Sequence, residues 1–265
     1  ELKGKINIAY CPERVLPGNV IYELEHNDRV IGGLDKKSTT AAQNFYRHFV
    51  KGELHATNAK TAEMCKLVEN SSRDVSIAFA NELSIICDKA EINVWELIHL
   101  ANKHPRVNIL QPGTGVGGHC IAVDPWFIVS EFEKEAIIIR NAREINNYKT
   151  EWVIEKIKSS ALQFELDNNR KPNIALMGLA FKPDIDDLRE SPALLVADTL
   201  LSDGKYNLLL VEPNLEDSLK YDLTDYRELN GRADIVAYLV AHNQFKGLEF
   251  DCTVLDFCGI KKSIK

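Results

Sequence analysis

Apolar and polar residues alternate over Lys5-Ile-Asn-Ile-Ala-Tyr10, which predicts a half-buried strand running into a loop at Cys11–Gly18. A second short strand is predicted at Arg29–Gly33, followed by a helix with Ser38 as its N-cap. A third strand lies near Glu53–Thr57. At Thr61 the pattern changes. From there to about Ala90 the chain runs without Gly or Pro and repeats its apolar residues at helical spacing, predicting one long helix. A second helix covers Asn93–Asn102. The glycine-rich loop Gln111-Pro-Gly-Thr-Gly-Val-Gly-Gly-His-Cys120 separates it from further helices at Asp124–Ser130, Ala136–Tyr148 and Trp152–Leu166.

The polar run Asp167–Pro172 reads as a linker. Beyond it, Asn173–Met177 is a buried-type strand ending at Gly178. Ser191-Pro192 can cap and open a helix that stops at Gly204. Leu208–Val211, Asp234–Val240 and Thr253–Phe257 read as further strands. Strands alternating with helices imply a parallel, doubly wound sheet. The expected fold class is therefore α/β: the tail of one α/β domain over residues 1–59, a central long-helix block over 60–166, and a second α/β domain over 173–265.

At 265 residues, the length suits one large or two modest domains, and 45% apolar with 27% charged residues is an ordinary globular balance. The net charge of −7 and pI near 5.6 make a poor general binder of nucleic acid or anionic membrane. No apolar stretch approaches the roughly 18–20 residues of a bilayer span. Six scattered cysteines with no Cys-x-x-Cys pair, and no signal peptide, fit free thiols in a reducing cytoplasm. The chain begins at Glu1 rather than Met, so the expectation is part of a longer protein.

Four places could carry chemistry. Cys120 follows Gly117-Gly118, where backbone can approach a ligand, and His119, His104 and Arg106 could help hold a thiolate nucleophile. A small core hydrophobe in a loop is the even alternative. A metal reading of His119, Cys120 and Asp124 is weaker, because no further ligand completes a zinc set. Lys66, Asn70 and Arg73 share one face of the long helix. They form a solvated stripe or, if Lys66 is buried, a proton carrier beside an anion-binding Arg. Glu13 and Arg14 of Cys11-Pro-Glu-Arg14 stand after a strand, as a surface ion pair or as a base with an anion partner. Gly178-Leu-Ala-Phe-Lys-Pro183 can bring Lys182 to an anion. One glycine after a strand is not the Gly-x-Gly-x-x-Gly dinucleotide fingerprint, and the expectation is that no other segment supplies it.

Together these segments resemble the UDP-glucose/GDP-mannose dehydrogenase family. Gly117-Gly-His-Cys-Ile-Ala-Val-Asp124 is similar to the family's Gly-Gly-x-Cys-x-x-x-Asp segment, and Cys11-Pro-Glu13, Lys66-x-x-x-Asn70 and Gly178-Leu-Ala-Phe-Lys182 occur in the family's order. The texts AEMCKLVENSSRDVSIAFANEL and HPRVNILQPGTGVGGHCIAVDPWF look closer still to members acting on UDP-N-acetylmannosamine. The resemblance implies a remnant of an N-terminal NAD-binding Rossmann domain, a dimerising helical block giving a homodimer, and a C-terminal Rossmann-like domain for the UDP-sugar. It also implies an activity: NAD-dependent, two-step oxidation of a sugar C6 alcohol to the uronate, used for surface polysaccharides such as enterobacterial common antigen.

By the same resemblance Cys120 is the nucleophile, Lys66 and Asn70 manage protons and oxyanions, Asp124 polarises Lys66 or a water, and Glu13 serves thioester hydrolysis. Arg14, Val15, Lys66, Asn70, Arg73, His104, Arg106, Gly117, Phe181 and Lys182 are implied substrate contacts, and Arg189 reaches NAD. Two departures concern the UDP end. Asp256-Phe-Cys-Gly259 stands where the family reads Asp-x-Lys-Gly, and Lys262 stands where an Arg is expected. The alternatives are the same chemistry on UDP-N-acetylglucosamine, UDP-glucose or GDP-mannose, or, for this fragment alone, which is expected to be inactive in isolation, a non-catalytic nucleotide-sugar-binding and dimerisation module.

Overall fold

A computed structural model describes residues 6–15, 19–215 and 221–261. The chain divides into two compact units, residues 1–72 and 73–265. In order, the elements are β1 (Ala9–Tyr10), α1 (Val20–His26), β2 (Arg29–Gly33), α2 (Lys36–Tyr46), β3 (Leu54–Asn58), α3 (Ala59–Lys89), α4 (Val94–Ala101), α5 (Asp124–Glu131), α6 (Ile137–Asn168), β4 (Asn173–Met177), α7 (Pro192–Asp203), β5 (Asn207–Val211), β6 (Ile235–Tyr238) and β7 (Thr253–Asp256). The α/β class is borne out.

In the first unit β1, β2 and β3 form a sheet in that order, with β1 antiparallel and β3 parallel to β2. Two expectations change here. The first strand is shorter than the alternation suggested, with Lys5 outside the described residues. The N-cap of α2 is Asp35, whose carboxylate accepts from the Ser38 amide at 2.7 Å. Ser38 lies inside the helix and is buried, its hydroxyl accepting from the Ile8 amide. Gly33 is required by packing: a Cβ would lie 2.3 Å from the Thr39 amide nitrogen.

In the second unit the parallel sheet runs β5-β4-β6-β7. Strand periodicity divides β4 between two cores. Ile174 and Leu176 face a cluster with Val153, Ile157 and Ala161 of α6 and Val196 and Leu200 of α7, whereas Ala175 and Met177 face Val236, Tyr238 and Phe245. The cap expectations at Ser191 and Gly204 hold: the Ser191 hydroxyl accepts from the Leu194 amide, and Gly204 closes α7 at φ +60°. The two helices expected at 136–148 and 152–166 are instead one helix of 32 residues. The polar residues at the expected break, Lys149 and Thr150, are buried and hydrogen-bonded, so the backbone has no reason to open there.

Candidate functional site

Strand order reverses at β4, because β5 lies on one side and β6 on the other. Open α/β sheets bind ligands at the carboxyl ends of strands beside such a switch point. The loop leaving β4 there carries Phe181 and Lys182. It turns at Gly178, whose φ of +93° and 2.5 Å approach to the Val240 Cβ admit only glycine. The Ser191 hydroxyl closes the loop by donating to the Leu179 carbonyl at 2.6 Å.

The glycine-rich loop packs on this segment. A Cβ on Gly117 would meet the Glu190 carbonyl oxygen at 2.3 Å and Pro192 Cδ at 2.7 Å, and one on Gly118 would meet the Phe181 ring at 2.9 Å. The Gly118 amide donates to the Arg189 carbonyl at 3.3 Å. Upstream, the Thr114 hydroxyl donates to the Leu239 carbonyl at 2.7 Å, and the Gly113 amide donates to Asn81 Oδ1 at 2.9 Å. Cys120 emerges from this fixed loop as an exposed free thiol. Its carbonyl accepts from the Asp124 amide at 2.8 Å, which starts α5. The bland core reading of Cys120 does not fit that exposure.

Arg189 is exposed and held by Asp187, with Nη2 to Oδ2 at 2.6 Å. That guanidinium, aided by the Arg189 amide, lowers the Asp187 carboxyl to about 2. His119 is within electrostatic reach of Asp187, and Cys120 of Arg189. His104 and Arg106 are exposed, and the Arg106 amide donates to His104 Nδ1 at 3.3 Å. Among the described residues no hydrogen bond or ion pair joins either to Cys120. A cleft of about 220 Å³ lies between the glycine loop and the β4 loop, lined in part by Gly113, Gly115, Phe181, Lys182 and Cys258. Asp256 accepts from the amides of Cys258, Gly259 and Ile260, which fixes that turn. Lys262 lies outside the described residues.

In the first unit, Arg14 is committed to Glu69 of α3, with Nη2 to Oε1 at 2.9 Å and Nε to Oε2 at 3.2 Å. The exposed Glu13 accepts from the amides of Arg14 and Val15 at 2.7 and 3.1 Å, and faces the buried Arg29 at 3.6 Å. Val15 is half-buried beside them. Lys66 and Asn70 are half-buried, between the solvated stripe and the buried proton carrier that the sequence left open, and Arg73 is exposed.

The strongly perturbed lysine lies elsewhere. Burial drives Lys149 down to about 7, with Asp88 opposing and Lys156 assisting. It belongs to a buried polar chain between α3 and α6. Arg143 Nη1 bonds Asp74 Oδ1 at 2.6 Å, Asn146 donates to the same oxygen, and Asn81 donates to Asn146 Oδ1 at 2.9 Å. Asn81 in turn holds the amide of Gly113. Sequence reasoning missed this chain. Its signal was polar residues at positions 74, 81 and 84 of α3 and 143, 146 and 150 of α6, one face of each helix.

The expectation that no segment spells the dinucleotide fingerprint needs correcting in letter though not in structure. Gly113, Gly115 and Gly118 spell Gly-x-Gly-x-x-Gly, yet the loop follows α4, not a strand, and its close side is filled by Thr150, Pro192 and Phe181. The described residues therefore do not build a diphosphate cradle. Among them, no three His, Cys, Asp or Glu side chains group to hold a metal. No helix among them is long and apolar enough to cross a membrane.

Three models of the UDP-glucose/GDP-mannose dehydrogenase family match the chain: the NAD binding domain at residues 1–50, the central domain at 60–148 and the UDP binding domain at 175–257. The chain belongs to this family. It is 55% identical over 261 residues to UDP-N-acetyl-D-mannosamine dehydrogenase of Campylobacter jejuni, covering 96% of this chain and 62% of that protein. It is 53% identical over 254 residues to NDP-N-acetyl-D-galactosaminuronic acid dehydrogenase of Ralstonia nicotianae, covering 94% and 59%. The solved UDP-D-ManNAc dehydrogenase of Pyrococcus horikoshii superposes with a TM-score of 0.81 at 37% identity, covering 96% of this chain and 62% of that one. The chain thus spans about three fifths of the length of the curated relatives it matches.

Proposed function

We propose that this chain is part of an NAD-dependent UDP-sugar 6-dehydrogenase that converts UDP-N-acetyl-D-mannosamine to its uronate, in the cytoplasm, for surface polysaccharide synthesis. The observation that carries the reading is the exposed Cys120 at the mouth of α5, held by Gly117-Gly118 against Phe181 in a chain more than half identical to proteins of that name. NAD supplies the two-electron acceptor when bound; its diphosphate cradle is not among the described residues.

An aldehyde carbon resists loss of hydride until it is tetrahedral. The Cys120 sulfur adds to that carbon, and a proton delivered to the oxygen completes a thiohemiacetal; at the oxidation level of the acid the same carbon is a thioester, which water cleaves. Lys66 is the group proposed to deliver and remove protons, with Asn70 steadying the oxyanion. Asp124 and Glu13 are proposed to orient water for hydrolysis. Phe181 and Lys182 contact the UDP end from the β4 loop, and Arg14, Val15, Arg73, His104, Arg106 and Gly117 complete the substrate contacts. Arg189, an exposed guanidinium preset by Asp187, is the proposed cofactor contact. Exposed Phe79 and Ile86 on α3 and Leu162 and Leu166 on α6 support a homodimer through the long helices.

Calorimetric titration with UDP-N-acetylmannosamine, UDP and NAD tests this. Binding of the sugar nucleotide and of UDP is expected. A folded chain that binds neither overturns the reading. The Ralstonia relative, named for NDP-N-acetyl-D-galactosaminuronic acid, makes a nucleoside-diphosphate N-acetylgalactosamine the second sugar to try. Production of NADH by the chain alone would exclude the non-catalytic alternative.

A further inference from the structure

Glu212, just after β5, and His242, beyond β6, meet at the switch point beside β4, and neither has a part in the reading above. Both are buried, at 4% and 0% exposure. Glu212 Oε2 accepts from the amides of Leu179 and Ala180 at 2.7 and 2.9 Å, and lies 3.1 Å from His242 Nε2. Its Oε1 accepts from the Asn214 amide at 3.1 Å and side chain at 3.3 Å. The far side of the ring completes the circuit: His242 Nδ1 accepts from the Asp184 amide at 2.9 Å, with Asn214 Nδ2 at the same distance. This assigns the ring proton to Nε2, donating to Glu212. Asp184 is itself held at φ +61° and accepts from the Asn243 amide at 2.8 Å.

The consequence is a loop tied at both ends. Leu179 and Ala180 hang from Glu212, Asp184 hangs from His242, and Phe181-Lys182-Pro183 spans the gap. A crevice of this kind normally offers its amides to a ligand phosphate. Here the chain's own carboxylate takes them, and its charge repels a second anion from the same place. A phosphate must then be met outside the crevice, where Lys182 is exposed. Burial pushes the Glu212 carboxyl up, but bonds from His242, Leu179 and Ala180 outweigh this and hold it below its ordinary value, so the plug is anionic.

We propose that Glu212 and His242 are positioning residues that set the Phe181–Lys182 loop for the diphosphate of a nucleotide sugar. The proposal rests on the reading of Lys182 as a UDP contact, and the test separates the two. UDP affinity is measured by calorimetry, and loop order by amide hydrogen exchange, in the wild type and in Glu212→Ala, Glu212→Gln, His242→Ala and Lys182→Ala. In Glu212→Ala the UDP Kd should rise about tenfold or more, the size of effect expected when buried donors lose their acceptor. Exchange at residues 179–184 should accelerate while β4 and α6 keep their protection.

Glu212→Gln retains an acceptor and should recover most of the affinity, which a general loss of stability would not predict. His242→Ala should loosen the Asp184 end, and it stands in if Glu212→Ala does not fold. Lys182→Ala should lose UDP affinity with loop exchange unchanged. If the wild type binds no UDP, the functional reading fails and the exchange data alone judge the tether. Folded Glu212→Ala or His242→Ala with wild-type exchange at 179–184 overturns the proposal, as does wild-type UDP affinity in both.

Discussion

Lys149 donates to the Ser84 hydroxyl at 2.7 Å while its Nζ lies 3.8 Å over the Trp152 ring, joining α6 to α3 inside the second unit. The ring attracts an ammonium, but burial at 2% exposure favours the free amine and wins, bringing the group to about 7.

The sign of the resulting pH dependence follows from proton counts. The unfolded chain holds the Lys149 proton up to its ordinary value of 10.5, whereas the folded chain releases it at about 7. Between those values the unfolded state binds more protons, so stability should rise with pH and level off above them. The full span is at most about 5 kcal/mol. Lys149→Met should be more stable than wild type at pH 6, and the gap should shrink towards pH 10. Urea melts at several pH values measure this; parallel curves for the two proteins would rule it out.

Arg143→Met should cost about 3–5 kcal/mol, because Asp74 is wholly buried and would lose the cation bonded to it at 2.6 Å. Adding Asp74→Leu should restore much of the loss. Thermal melts of the single and double variants check both, and an additive double variant would mean the pair is not coupled.

Gly117→Ala should destabilise by about 1–3 kcal/mol, since its Cβ would press on the Glu190 carbonyl, a backbone atom that cannot swing away. Uronate formation should fall with it as the Cys120 loop shifts. Gly113→Ala is the control: only the Gly115 carbonyl lies near, at 3.9 Å. Equal melting temperatures for the two variants would contradict the packing account.

Cys120→Ala should reduce uronate formation about 10³-fold or more while leaving UDP affinity within a factor of about two, because the thiol is the proposed nucleophile and is exposed. Product is read by mass spectrometry and binding by calorimetry. Lost UDP binding in a folded variant would make Cys120 structural.

Local rules were enough for much of this molecule. Ser191-Pro192 and Gly204 bound α7, apolar spacing without Gly or Pro makes α3 one helix, and Gly117-Gly-His-Cys120 announces a close-packed loop with a thiol at its end. Each of these depends on residues within a turn or two of one another, so it is written in the order of the chain. Burial is not local, and there the sequence was a poor guide. Lys66 sits among apolar residues yet is half-buried, while Lys149, in a polar stretch that looked like a helix break, is enclosed by Ser84 and Trp152. The Glu212–His242 pair joins the ends of two strands that become neighbours of β4 only when the sheet forms. Residue type and spacing determined the elements and the chemistry available; tertiary packing decided which charges lose water, and therefore which lysine is perturbed and which carboxylate fills the crevice.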